Sequence, residues 1–246
     1  MEISNHWSSV LSSLSRKMEY IDFFLQWPEI IDTMVFDDQN ITAEEKNYIS
    51  ENSKHNWRDI LVYNGTGNGK RSNHFPQCMN NQLHQYFHLT KFENMRNVDI
   101  RDYDTIIEFG GGYGEMCRIA KSIKPSINYH IIDLPELHII QDFYLKGNNI
   151  KDYSQINAAE LPDNTGKTIF LSFWAISEVP IELRHRVFEY LCRNKIDFFI
   201  SYQSAYESYN NTDFFTNMKL DGYKITKEQM TGNMLDNCYL LGEYRE

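Results

Sequence analysis

Apolar and polar positions divide the chain into two regimes. From Trp7 to Trp27 the large apolar groups fall at Trp7, Val10, Leu11, Leu14, Met18, Ile21, Phe24 and Leu25. Steps of three and four predict one helix with a buried stripe, and Pro28 ends or interrupts it. A second helix is expected to begin at Thr42, because Thr42-Ala43-Glu44-Glu45 has the capping-box spacing, and to run towards Val62. Residues 64–76, NGTGNGKRSNHFP, contain three glycines and three asparagines and predict a loop, read either as a linker or as a substrate lid. A third helix follows over roughly 77–96 and carries His84 and His88 one turn apart. Sequence fixes no third ligand beside them, so the pair reads as surface or partly buried histidines rather than a metal site.

From Asp104 the period changes. Strand-length apolar runs at 105–109, 127–132, 150–156, 168–174 and 197–201 alternate with helical stretches, one of them opened by Pro135 and another by Pro180. Such alternation predicts a parallel sheet with helices on both faces. The 168–174 run is strongly apolar and aromatic, as a central buried strand should be. Residues 223–244 read as two further strands with a polar connection. The expected organisation is a helical cap or substrate region over residues 1–100, followed by an α/β domain over 101–246.

Composition narrows the function classes. A chain of 246 residues that is 41% hydrophobic can bury a large core. Its net charge of −10 argues against a broad nucleic-acid footprint, which needs clustered Lys and Arg. Cys78, Cys117, Cys192 and Cys238 are too widely spaced for a CxxC-type metal site, so free thiols and no metal are expected. No apolar run approaches the roughly 20 residues a membrane span requires. The start, MEISNHWSSV, has neither a basic region nor an apolar core, so no signal peptide is expected. The expectation is a cytoplasmic protein.

Chemistry concentrates in Thr105–Gly114, TIIEFGGGYG. An apolar strand ends at Glu108, Gly110, Gly111, Gly112 and Gly114 follow, and a helix-compatible stretch begins at Glu115. This strand, glycine turn and helix let backbone N–H groups approach a ligand closely. A dinucleotide fingerprint, G-x-G-x-x-G/A, fits Gly110 and Gly112 but meets Glu115 at its third glycine, where a side chain obstructs helix–strand packing and adds negative charge. That leaves a nicotinamide dehydrogenase as a weaker alternative. Asp133 ends the next strand, where a carboxylate can accept two ribose hydroxyls; its competing reading is an N-cap for the helix at Pro135.

The spacing E-x-G-x-G-x-G from Glu108 to Gly114 resembles motif I of the class I methyltransferases, which bind S-adenosylmethionine and release S-adenosylhomocysteine. Asp133-Leu134-Pro135 is similar to an Asp-Leu-Pro of small-molecule O-methyltransferases. Taken in order, IIEFGGGYGE, IIDLPEL and SFWAISEVP resemble sugar O-methyltransferases of bacterial surface-glycan gene clusters, over about residues 105–202. The resemblance implies a Rossmann-like, seven-stranded sheet. It implies a cofactor site at Glu108, Gly110, Gly111, Gly112, Gly114, Asp133 and Leu134, with the adenine framed near 155–158, represented by Asn157, and with Trp174 near the transferable methyl. A sugar hydroxyl has a high pKa and benefits from a base, for which Glu178, His74 and His185 are candidates. A phosphate or phosphoramidate oxygen of a capsule precursor needs positioning cations instead, and Lys70, Arg71 and Arg184 are the candidates. The expected partner is a small-molecule or glycan-precursor acceptor, not nucleic acid. The alternative from another class is a non-catalytic cofactor-binding protein.

Overall fold

The computed structural model describes residues 4–158, 160–163, 166–230 and 234–245. The sequence readings at residues 1–3 and in part of the 229–237 connection fall outside them. Helix α1 (Asn5–Lys17) is capped by Ser4, whose Oγ accepts the Trp7 N–H at 3.2 Å. The expected single helix to Trp27 does not continue. The chain tightens into a 3₁₀ stretch, Met18–Gln26, with Tyr20 and Phe23 outside helical geometry. There the Leu25 N–H is diverted to the Gly67 carbonyl at 3.0 Å, which removes a helical bond and ties this stretch to the 64–76 loop. Helix α2 (Pro28–Met34) follows, with Pro28 in its first turn.

Helix α3 (Gln39–Asn52) starts before the expected Thr42. Asp38 is the true cap and accepts the N–H groups of Asn40 and Ile41. Thr42 therefore sits inside the helix and donates its hydroxyl back to the Asp38 carbonyl, and Glu45 is released from capping to point inward. Helix α3 stops at Asn52, and α4 (Trp57–Ile60) is a separate turn rather than its continuation. Helix α5 (Asn80–Arg96) begins later than expected and closes on Asn97 in left-handed geometry.

The remainder builds the sheet: β1 (Thr105–Phe109), α6 (Glu115–Ile123), β2 (Asn128–Asp133), α7 (Pro135–Gly147), β3 (Tyr153–Asn157), β4 (Thr168–Phe173), α8 (Ile181–Asn194), β5 (Asp197–Gln203), the short pair β6 (Ala205–Tyr206) and β7 (Tyr209–Asn210), α9 (Asn211–Asn217), β8 (Tyr223–Gln229) and β9 (Asn237–Tyr244). Seven strands pair in the order β3-β2-β1-β4-β5-β9-β8. The first five are parallel to their neighbours, and β9 runs antiparallel to β5 and β8. The order reverses between β1 and β4, and a crevice at the carboxyl ends of strands is expected there.

Alternation along β1 supplies both cores. Ile106 joins Ile131, Leu171 and Phe199 beneath Tyr86, Leu89 and Phe92 of α5 and Ile119 of α6. Ile107 and Phe109 point the other way, to Phe170, Val187 and Leu191. A third cluster packs Val10, Leu11, Leu14 and Phe24 on Leu137, Ile140 and Tyr144 of α7, anchoring α1 to the sheet domain. Each such side chain contributes about 1.5–3 kcal/mol by leaving water. Helix α5 thus shares a core with the sheet, and β6, β7 and α9 are elements that no periodicity announced. No helix among the described residues is long and apolar enough to cross a membrane.

Candidate active site

A cavity of about 370 Å³ opens at the β1/β4 switch point. Its floor is the glycine turn. Gly110 has φ +77°, and a Cβ on it would lie 2.0 Å from the Cβ of Ala175, so only glycine lets β1 and the segment after β4 approach this closely. Gly114, with φ +97°, is the N-cap of α6 and does not line the cavity, whereas Gly110, Gly111 and Gly112 do. Glu115 is buried beneath the turn, where Arg118 holds it at 2.6 Å and Tyr144 donates a hydroxyl to it, so its charge is neutralised internally.

Two buried carboxylates face this floor. Glu108, 2% exposed, accepts the Tyr129 hydroxyl at 2.8 Å. Burial pushes its pKa up to about 8; the Tyr129 bond opposes the rise, and Asp133 and Glu115 add to it. Asp133 ends β2 and accepts the Leu134 N–H at 2.8 Å and the Gln141 side chain at 2.9 Å. Burial lifts it to about 7, against the hydrogen bonds from Leu134, Gly112, Gln141 and Gly111. Gln141 also donates to the Gly112 carbonyl at 3.0 Å, so one side chain ties the glycine turn to the acid. Two adjacent carboxylates that burial holds partly protonated form a site a cation would relieve and a phosphate would not. Leu134 and Ala158 complete this side; Asn157 itself is exposed at the end of β3 and outside the cavity lining.

The opposite side comes from the segment after β4 and from the N-terminal helices. Trp174 and Glu178 line it with Trp7, Asp32, Phe36 and His84. Glu178 accepts the Trp7 indole N–H at 3.0 Å and the Gln203 amide at 3.1 Å. His84 and His88, expected at or near the surface, are both buried. Trp7, Asp32, Phe36 and His84 carried no motif; the one signal was His84 and His88 at i, i+4 on an otherwise mixed helix.

The structure does not bring the remaining expected residues to the cavity. His74 and His185 are exposed, His185 lying edge-on to Phe214. Lys70 pairs with Asp37 at 3.0 Å on the surface. Arg71 spends its guanidinium on the carbonyls of Pro76, Gln77 and Tyr63, closing its own loop. Arg184 is fully buried and binds the carbonyls of Ser177 and Val179 and the side chain of Asn211. Lys70, Arg71 and Arg184, expected as acceptor ligands, do not line the cavity and make these contacts instead. Among the described lining residues there is no Lys or Arg, while Asp32, Glu108, Glu115, Asp133 and Glu178 are acidic.

No protein-family model matches the sequence, and no curated protein does. Among solved structures, the chain is similar to an S-adenosylmethionine-dependent methyltransferase from Clostridium acetobutylicum ATCC 824, with TM-score 0.50 and 9% identity over 65% of this chain and 90% of that one. It is also similar to the methyltransferase domain of bacterial CtHen1-CN, with TM-score 0.50 and 12% identity over 65% of this chain and 98% of that one. At such identities the likeness carries architecture and not substrate. The chain therefore has the Rossmann-like fold of class I methyltransferases.

Proposed function

We propose that the protein is an S-adenosylmethionine-dependent O-methyltransferase whose acceptor is a sugar or sugar-linked hydroxyl of a bacterial surface-glycan precursor. One observation supports it most: a cavity with buried carboxylates on the cofactor side and aromatic rings and carboxylates, but no described Lys or Arg, on the acceptor side. Glu108 suits the cationic amino acid end of the cofactor, Asp133 the ribose hydroxyls, and the glycine turn the methionine chain. The cofactor supplies an electrophilic methyl on a sulfonium. With the cofactor bound, Glu178 would hold the acceptor hydroxyl in line with that methyl and would take the hydroxyl proton as general base. The N-terminal region contributes Trp7, Asp32, Phe36 and His84 to the lining. The phosphate or phosphoramidate reading loses its cations, since Lys70, Arg71 and Arg184 are engaged elsewhere.

The test is a turnover screen read by a mass gain of one methyl group, comparing neutral glycosides, nucleotide sugars and phosphorylated precursors. Methylation on a phosphate oxygen would overturn the acceptor class. S-adenosylhomocysteine binding without turnover on any acceptor would favour a non-catalytic role. In that screen Glu178→Gln is expected to lower turnover about 10²–10⁴-fold while calorimetry shows S-adenosylhomocysteine affinity unchanged.

A pH dependence follows from the raised carboxylates. At pH 6 both Glu108 and Asp133 are largely protonated. The cofactor's cationic end favours the ionised forms, so S-adenosylmethionine affinity rises between pH 6 and 8, by up to about tenfold per unit for each carboxyl that must ionise, and levels off above. The ligand-free protein runs the other way. Its folded carboxyls bind protons more tightly than unfolded ones, so their contribution to stability is full below the unfolded carboxylate range and is lost as pH rises towards 8. Calorimetry and thermal melting across pH 5.5–8.5, with and without ligand, measure both slopes.

A further inference from the structure

The aromatic wall of the cavity is held with more care than packing requires. Trp174 follows β4 with φ +64° and ψ −37°, a conformation that costs a bulky residue energy and persists only where its surroundings enforce it. Its N–H donates to the Ser201 carbonyl at 2.9 Å, and its carbonyl accepts the Ser177 N–H at 2.8 Å. The indole N–H donates to Asn237 Oδ1 at 2.8 Å. Asn237 opens β9, on the far side of β5 from β4. The indole therefore leans away from the β1 and β2 ends that carry Glu108 and Asp133.

On that side it meets a stack of rings. His84 lies nearly parallel to Trp174, with centroids 5.7 Å apart, and Phe36 lies nearly parallel to His84 at 3.9 Å. The His84 ring cannot turn. Its Nδ1 is 2.6 Å from Glu45 Oε1 and its Nε2 is 3.0 Å from His88 Nε2, while His88 Nδ1 is 2.7 Å from the Tyr239 hydroxyl. The row can be satisfied in one direction: Tyr239 donates to His88, His88 to His84, and His84 to Glu45. His88 in turn lies face-on to Phe173 at 4.8 Å. Three elements, α3, α5 and β9, converge to fix one imidazole behind an indole. Both of its nitrogens are spent in doing so, which removes His84 as a base and leaves it as a brace.

Phe36, His84 and Trp174 all line the cavity, and Asp32 and Glu178 line it with them. A braced ring surface edged by carboxylates matches one face of a sugar: axial C–H groups on the rings, equatorial hydroxyls on the acids. Because the rings are already ordered, binding costs little further entropy. We infer that Trp174, braced by the His84–Phe36 stack, is the platform on which the acceptor's uncharged sugar ring lies, and that it sets acceptor rather than cofactor affinity. This rests on the sugar-acceptor reading above.

The experiment separates the two. Saturation-transfer NMR is run on methyl glucoside and methyl galactoside with wild type, Trp174→Phe and Trp174→Ala, each saturated with S-adenosylhomocysteine, whose affinity is measured by calorimetry. Wild type is expected to transfer saturation to the C–H face of at least one glycoside. Trp174→Phe retains that signal in weakened form and Trp174→Ala loses it, with S-adenosylhomocysteine affinity within about threefold of wild type in both. The platform fails alone if wild type and Trp174→Ala give equal glycoside signals, or if cofactor affinity falls tenfold or more in Trp174→Phe. If wild type binds S-adenosylhomocysteine and no glycoside gives a signal, the sugar-acceptor reading fails and the platform with it. Trp174→Phe keeps the test meaningful should the alanine variant not fold.

Discussion

Replacing Asp133 by Ala is expected to weaken S-adenosylhomocysteine binding at least about 100-fold, because a buried charged hydrogen-bond acceptor contributes roughly 2–5 kcal/mol when its partner is polar and desolvated. The ligand-free protein should suffer much less. Burial already lifts Asp133 to about 7, so its charge is a cost to the empty fold, and losing it offsets the loss of its bonds to Leu134 and Gln141. Thermal melting then shows a modest shift in the ligand-free midpoint and no ligand-induced rise. Asp133→Asn keeps the shape and one acceptor oxygen and should fall between. Wild-type affinity in the alanine variant would leave Asp133 only its structural bonds to Leu134 and Gln141 and remove half of the proposed cofactor site.

Arg184→Ala should act on the fold instead. The guanidinium has no exposed surface and, among the described residues, no acid paired with it, and burial pulls its pKa down to about 10. It is kept because it satisfies three acceptors: Val179 O at 2.8 Å, Ser177 O at 2.6 Å and Asn211 Oδ1 at 2.7 Å, while packing over Tyr209 and Phe214. Truncation strands these acceptors in the interior and opens a large void, a loss of about 3–5 kcal/mol, or roughly 10 °C in melting midpoint for a chain of this size. Glu178 lies between the two carbonyls, so turnover should fall further than S-adenosylhomocysteine affinity. Arg184→Lys keeps charge but not the fork and should recover only part of the stability. An alanine variant that melts with wild type and loses only acceptor affinity would restore Arg184 to a binding role.

What the sequence determined by itself is what short-range chemistry dictates. Apolar runs placed β1, β2, β4 and β5 close to where they stand, because burial on both faces of a parallel sheet demands them, and residues 223–244 were expected to hold the two strands that became β8 and β9. The glycine run announced a tight turn, and the strand-end positions of Glu108 and Asp133 marked them as candidate cofactor carboxylates; both line the cavity. Local pattern was weaker where a distant group outbids a neighbour. The 3₁₀ stretch exists because Leu25 bonds to Gly67, and Thr42 lost the cap to Asp38. Tertiary structure alone decided which polar side chains reach the cavity. Periodicity tells which face a residue occupies but not what stands opposite. Glu45 meets His84, Trp7 meets Glu178 and Arg184 meets Asn211 across 39, 171 and 27 positions of chain. A flexible basic side chain is captured by the nearest unsatisfied acceptor, which holds Arg71 and Arg184 away from the cavity, while the folding of the N-terminal region brought the unannounced Phe36, His84 and Trp7 into its lining.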